Sequence, residues 1–249
     1  MKLSGKSVLI TGGASGIGQG VALALAAEGA NVAITYATSD PAETLAKLKA
    51  LGVKALALKA DLRLEKDCES VVKETLSAFG DLDILVANTG GLLKRSRVVE
   101  TSLELWNEAL AINLTSTFLC CRAALRHMEA KKKGNIILMS SLAAHDGGGP
   151  GASHYAATKG AVLTYTRALA KEVGPLGIRV NGLAPGLIAT RFHDTFSTAE
   201  GRKATAERTP LRREGTPKDV AGAALFLASD DSSFLTGETI EVNGGLGLY

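Results

Sequence analysis

The sequence predicts an α/β fold, a doubly wound parallel seven-stranded sheet in a single domain over residues 1–249, and three observations lead to it. Short β-rich runs alternate with helical patterns along the whole chain, as parallel strands joined by crossover helices require. Apolar strands such as LDILVA and NIILM show no clean polar alternation, which is expected when helices cover both faces of the sheet. A glycine-rich turn, TGGASGIG from Thr11 to Gly18, stands between the first strand and the first helix. Folds of this class bind ligands beyond the carboxyl ends of their strands, so that turn marks where to look.

Taken in order, SVLI (Ser7 to Ile10) is the first strand, and the glycine turn leads it into a helix near Gly16 carrying QGVALALAAEG. Asn31 to Tyr36 is the second strand. Asp40 then caps a helix that Pro41 opens, because the fixed φ of proline suits a first helical position. Ala55 to Asp61 and Leu82 to Asn88 are the third and fourth strands, followed by helices near Glu65 and Leu103. Asn135 to Ser140 is the fifth, with a helix near Tyr155, and Arg179 to Ala184 is the sixth. Thr216 and Pro217 repeat the cap-and-proline signal ahead of the last helix, and Thr239 to Val242 completes the sheet. Between the fifth strand and its helix, HDGGGPGASH is rich enough in glycine to be a mobile loop.

Composition narrows the function. With 249 residues, 46% of them hydrophobic, the chain can bury a full core. The 28 basic and 25 acidic side chains nearly cancel, so no global field favours nucleic acid or an anionic membrane. The apolar run at the N-terminus is too short for a signal peptide, and no run reaches the ~18 apolar residues of a membrane span. A cytoplasmic location is the expectation. Cys68, Cys120 and Cys121 form no paired framework, and the four histidines lack ligand spacing, so no metal is expected.

In the glycine turn, Gly12 takes up the bend, Gly16 lets backbone approach a pyrophosphate, and Gly18 lets the helix pack closely, with Ser15 and Ile17 in the same loop. The spacing is G-x3-G-x-G and not the G-x-G-x-x-G dinucleotide fingerprint, so the turn alone is weak evidence. SHYAATKGAV adds a second signal: Tyr155 and Lys159, four apart, share one face of a helix. A nearby ammonium stabilises a phenolate, so the pair is suited to proton transfer. The preceding strand presents Ser140 and Ser141 at its carboxyl end, where a hydroxyl can polarise a carbonyl oxygen; the strand alignment favours Ser141.

These residues resemble the short-chain dehydrogenases and reductases in their ~250-residue, Rossmann-like form. The likeness spans the chain and rests on TGGASGIG, the AD at Ala60-Asp61, ANTGG, INLTSTF, MSS, YAATK, IRVNGLAPGLIAT and TGETIEVNGG. It implies a tetrad of Asn113, Ser141, Tyr155 and Lys159: Tyr155 as general acid or base, Ser141 on the substrate oxygen, Lys159 on the nicotinamide ribose and lowering the tyrosine pKa, and Asn113 holding a proton-relaying water. It assigns Asp61 and Leu62 to the adenine, Asn88 and Gly90 to the ribose side, and Pro185, Gly186, Ile188 and Thr190 to the nicotinamide end. Two departures stand out. The family's usual NAG is NTG here, with Thr89 where alanine is common, and Ser141 precedes Tyr155 by one residue more than is usual.

Cofactor choice is read at the end of the second strand, where an acidic side chain would favour NAD(H) and repel a 2′-phosphate. Tyr36, Ala37, Thr38 and Ser39 stand there without charge, and Ser15 replaces the basic residue of many NADP-dependent relatives. NADP(H) is favoured and NAD(H) remains possible. The polar segment at about 187–215 resembles the family's substrate-covering loop. The reaction implied is reduction of a polar keto compound, whether keto-sugar, uronate or 3-oxoacyl type. A 3-oxoacyl carrier-protein reductase proper is the alternative, for which EAKKKGN supplies Lys131 to Lys133 but Leu176 stands where a docking arginine is usual. A noncatalytic nucleotide-sensing protein is the reading from another class, disfavoured because Tyr155 and Lys159 are both present; epimerases usually carry a longer C-terminal part. The resemblance also implies a homotetramer.

Overall fold

The computed structural model describes all 249 residues. Seven strands form one wholly parallel sheet: β1 (Ser7–Ile10), β2 (Asn31–Tyr36), β3 (Ala55–Lys59), β4 (Ile84–Ala87), β5 (Gly134–Met139), β6 (Ile178–Pro185) and β7 (Thr239–Val242). Their order across the sheet is β3-β2-β1-β4-β5-β6-β7. The chain therefore reverses its direction of winding between β1 and β4, and loops leaving those two strands part to open a crevice.

The continuous apolar character of the strands follows from burial on both faces. One face packs Leu9, Leu85 and Ile136 under α3 (Glu65–Phe79), α5 (Ser116–Lys131) and α7 (Ser153–Val173). The other packs Val8, Ile10 and Val86 under α1 (Gly16–Ala27), α2 (Ala42–Ala50) and α10 (Pro217–Ala228). Local signals set the helix starts. Asp40 Oδ1 accepts the Ala42 N–H at 2.9 Å, so the cap acts as expected, with the helix proper beginning one residue after Pro41. Asp219 accepts the Thr216 N–H at 2.7 Å at the start of α10, with Pro217 in the first turn.

Boundaries moved where side chains took over from the ladder. The third strand stops at Lys59, short of Asp61, whose N–H donates to Asp67 Oδ2 at 2.8 Å. The fourth stops at Ala87, because the Asn88 N–H turns to the Thr11 hydroxyl at 2.9 Å. α7 begins at Ser153, two residues ahead of Tyr155, which leaves Tyr155 and Lys159 on one face. Ahead of α5, the helix α4 (Leu103–Leu110) passes through a π-turn at Ala111–Thr115 that contains Asn113. Such turns shift the helical register locally and re-aim a side chain. Over the carboxyl edge of the sheet lie the short α6 (Ala143–Asp146) and the pair α8 (Arg191–Phe196) and α9 (Ala199–Arg208). No helix is long and apolar enough to cross a membrane.

Candidate active site

A cleft of about 790 Å³ opens beyond the carboxyl ends of β1, β2, β4, β5 and β6. Its floor is the glycine turn. Gly12 and Gly16 have φ of +64° and +56°, where a side chain is strained, and both line the cleft. Gly18 does not line it; a Cβ there would stand 2.2 Å from the Gly12 carbonyl oxygen and 2.7 Å from Asn88 Nδ2. Its role is contact between helix and turn. Gly18→Ala is therefore expected to destabilise the protein by about 1–3 kcal/mol and to weaken nucleotide binding, read by thermal melts with and without nucleotide. Gly13, which the sequence reading passed over, is constrained too: its Cβ would meet Ile34 Cγ2 at 2.5 Å.

Asn88 joins the loops after β1 and β4. Its amide donates to the Thr11 carbonyl at 3.0 Å, and the Thr11 hydroxyl accepts the N–H groups of both Asn88 and Thr89 at 2.9 Å. Thr89 lines the cleft with its hydroxyl 3.2 Å from the position a Gly12 Cβ would take, so its branched side chain narrows the floor at that glycine. Toward the second strand the cleft is walled by Tyr36, Ala37, Thr38 and Ser39, with Ser15 and Ile17 on the turn and Asp61 and Leu62 beyond β3. The Asp61 carboxylate is already engaged: Arg63 Nε lies 2.9 Å from Oδ1 and Nη2 2.7 Å from Oδ2, holding it below the usual carboxylate range.

At the centre of the cleft Ser141, Tyr155 and Lys159 converge. The Ser141 hydroxyl accepts the Ala143 N–H at 3.2 Å and draws the Tyr155 phenol down, so both side chains line one cleft despite the extra residue between them. The loop absorbs it with Gly147, Gly148 and Gly151, at φ of +79°, +70° and +75°. Ser140 turns away and donates to the Lys159 carbonyl at 2.9 Å, which makes it a support for α7. Lys159 is 3% exposed; its ammonium donates to the Met139 carbonyl at 2.7 Å and stands 5.7 Å from the centroid of the Tyr155 ring. Burial pushes it down to about 8.

Burial raises the Tyr155 phenol above its ordinary value, and the Ser141 hydroxyl draws it part of the way back. Asn113 is fully buried and does not reach the cleft surface. Its amide donates to the Gly91 and Ala109 carbonyls at 2.9 and 3.0 Å and its Oδ1 accepts the Gly91 N–H at 2.8 Å. Gly90 sits over it with room for nothing larger, because a Cβ would lie 2.5 Å from Asn113 Oδ1 and 3.2 Å from Lys159 Nζ.

Pro185, Gly186, Ile188 and Thr190 line the far end, with the Thr190 hydroxyl donating to the Ile188 carbonyl at 3.2 Å. The α8–α9 pair covers this end, and the Phe192 ring lies 5.7 Å from that of Tyr155. Within it, Arg202 is neutralised by Asp194 and by Glu214, the latter at 2.6 Å. Lys131 to Lys133 lie just ahead of β5, at the end of the sheet opposite the cleft, and Lys131 is bound to Asp81 at 2.7 Å. Within one protomer they do not flank the site. A residue that sequence reading did not single out, Arg95, lines the substrate end of the cleft. Its local pattern, KRSR, reads as a solvated charge run and gives no hint of this.

The cleft suits a dinucleotide. Its glycine turn at the start of α1 leaves backbone N–H groups and the positive helix end for a pyrophosphate, and Gly90 leaves space above the buried Lys159. Comparison with known proteins agrees. Residues 12–247 match a family model described as enoyl-(acyl carrier protein) reductase. The 3-oxoacyl-(acyl-carrier-protein) reductase FabG of Staphylococcus aureus (strain Mu50) is 38% identical over 248 residues, 99% of both chains. A 7α-hydroxysteroid dehydrogenase complexed with NADH and 7-oxo glycochenodeoxycholic acid superposes with a TM-score of 0.94 at 32% identity, covering 98% of this chain and 95% of that one. An NADH-dependent reductase responsible for alginate metabolism gives 0.91 at 31% identity and covers 99% of each chain. On its fold, its cleft and these likenesses, the chain belongs to the short-chain dehydrogenases and reductases, oxidoreductases of carbonyl and alcohol groups.

Proposed function

We propose that the protein reduces a polar keto compound, a keto-sugar, uronate or 3-oxoacyl type, with Tyr155 giving the proton to the carbonyl oxygen. The observation that supports this most is the convergence of the Ser141 hydroxyl, the Tyr155 phenol and the buried Lys159 ammonium in one cleft. The nicotinamide, when bound, supplies the hydride. The remaining work falls to the chain. Burial keeps the Tyr155 phenol protonated through the neutral range, which suits a proton donor. Ser141 donates to the same oxygen as charge develops on it. Lys159 provides positive charge beneath the ribose side, and Asn113 fixes the Gly90–Gly91 backbone beside it.

For the cofactor, the uncharged end of β2 supports NADP(H) with NAD(H) also accepted, since nothing there repels a 2′-phosphate and no cation grips one. Asp40, the next carboxylate along the chain, is committed to the Ala42 N–H. Ala37→Arg is expected to raise the NADPH-to-NADH ratio of kcat/KM by about tenfold or more, because an arginine there meets the phosphate with charge-assisted bonds. Parallel steady-state assays with the two nucleotides read it directly.

The 3-oxoacyl carrier-protein reaction is the second reading and draws on the S. aureus relative. A homotetramer is proposed as well: Val98 and Val99 just ahead of α4, Leu103 on α4 and Phe118 on α5 leave apolar surface uncovered. A cytoplasmic location accords with such a carbonyl reductase. The test of the activity is oxidation of NADPH and NADH, followed by absorbance, against 3-oxoacyl thioesters, keto-sugars, uronates and diketones. Turnover of one class supports the reading and names the substrate class; no turnover of any carbonyl compound overturns it.

A further inference from the structure

The substrate end of the cleft holds a guanidinium that the chemistry above does not use. Arg95, on the loop after β4, donates through Nε to the Phe196 carbonyl at 2.8 Å and through Nη1 to the Pro150 carbonyl at 2.8 Å. Those carbonyls belong to the two segments that frame the cleft, α8 on one side and the glycine loop on the other. The loop lies directly against the head group: a Cβ on Gly149 would stand 3.3 Å from Nη1 and 3.7 Å from Nη2. The neighbouring Ser96 N–H donates to the Gly151 carbonyl at 3.0 Å. Arg95 is thus fixed in direction while its side chain stays open to the cleft.

Its charge is unspent. Arg202 is matched by Asp194 and Glu214, whereas Arg95 has no ion-pair partner and its Nη2 bonds nothing in the chain. Arg191 and Arg208 line the same cleft, also without carboxylate partners. Two carboxylates line it. Asp61 is at the adenine end and held by Arg63, and Asp146 accepts the Gly148 N–H at 2.8 Å. His193 adds no charge there, since burial and the cations Arg202 and Arg95 push its imidazole below the usual range. An aromatic bridge relates Arg95 to the reacting centre: Phe196 contacts Phe192 at 5.2 Å between centroids, and Phe192 contacts Tyr155 at 5.7 Å.

We propose that Arg95 is a specificity-determining residue and that the keto substrate carries a carboxylate, which takes the free N–H edge of the guanidinium while its carbonyl lies at Tyr155. The proposal rests on the reductase reading. Arginine suits this task because its planar fork meets two carboxylate oxygens at once, and two of its N–H groups already fix its plane. Holding the lid and the loop by the same side chain makes acid recognition and cleft geometry one feature.

The test compares keto acids with uncharged counterparts, levulinate with methyl levulinate and 5-keto-D-gluconate with 5-keto-D-fructose, in the wild type, Arg95→Met and Arg95→Lys. With whatever carbonyl compound the wild type reduces, inhibition by glutarate and by glutaramide is measured beside them. The wild type is expected to prefer the acid of each pair, and glutarate over glutaramide, by about tenfold or more, mostly through KM. Arg95→Met brings those ratios to within about twofold of one, and Arg95→Lys restores part of the preference. A side chain that merely tethers the lid would move acid and neutral members alike, so equal losses in Arg95→Met, or a wild type without acid preference, overturn the proposal. Failure of the wild type to reduce any carbonyl compound overturns the reductase reading instead, and this inference with it.

Discussion

Tyr155→Phe is expected to reduce carbonyl turnover by about 10²- to 10⁴-fold, roughly 3–5 kcal/mol of transition-state stabilisation, with nucleotide binding nearly unchanged. The substitution removes one oxygen and keeps the ring, so the contact with Phe192 at 5.7 Å survives and the cleft keeps its shape. What it removes is the phenol hydroxyl, the proposed proton donor, which the nearby Ser141 hydroxyl draws down. Steady-state reduction and nucleotide titration, run on both proteins, separate the two effects. A variant that reduces as fast as the wild type would remove Tyr155 from the role of proton donor, whereas no turnover by either protein, with equal nucleotide binding, would return the protein to the nucleotide-sensing reading. Loss confined to kcat, with KM little changed, is the signature of an interaction made in the transition state.

The second large effect pulls activity and stability in opposite directions. Lys159→Met should lower turnover by a comparable factor while making the nucleotide-free protein more stable at neutral pH. Lys159 is 3% exposed, and burial moves it from 10.5 down to about 8, which corresponds to roughly 3 kcal/mol that the folded protein bears while the ammonium is charged. Loss of the bond to the Met139 carbonyl offsets part of this, so a net gain of about 1–2 kcal/mol is expected at pH 7.

The pH dependence gives the sign. Below pH 8 both folded and unfolded lysine are protonated and the cost is full. Between about 8 and 10.5 the unfolded chain binds the proton and the folded one does not, so wild-type stability rises with pH through that window. The variant lacks this slope, and the two denaturation curves should converge as pH rises from 8. Tyr155 acts the other way above 10, where the folded phenol keeps a proton that the unfolded one loses, so the comparison is read between pH 8 and 10. A constant stability difference across that range would mean that Lys159 is not depressed.

What the sequence determined by itself is what local chemistry decides. Alternation of β-rich and helical runs set the seven strands, because a strand buried on both faces must be apolar throughout and a crossover helix must separate parallel neighbours. Asp40 and Thr216 with Pro217 marked helix starts through bonds spanning two or three residues. Gly12 and Gly16 were legible because a left-handed turn needs glycine, and Tyr155 with Lys159 because four residues make one helical turn.

The tertiary structure decided whatever depends on partners far along the chain. Arg95 carries no local signal in the sequence, and its meeting with the Phe196 carbonyl, 101 residues on, is set by how α8 folds over the cleft. Asn113 was picked out by motif, but its burial beneath Gly91, 22 residues away, comes from the π-turn that re-aims it. Spacing put Lys159 beside the phenol, while packing against β5 aimed its ammonium at the Met139 carbonyl, and burial there raises the phenol and lowers the ammonium. Periodicity and capping act through bonds a few residues long and can be read from the chain; solvation and charge pairing depend on which surfaces meet, and only the packed sheet and helices settle that.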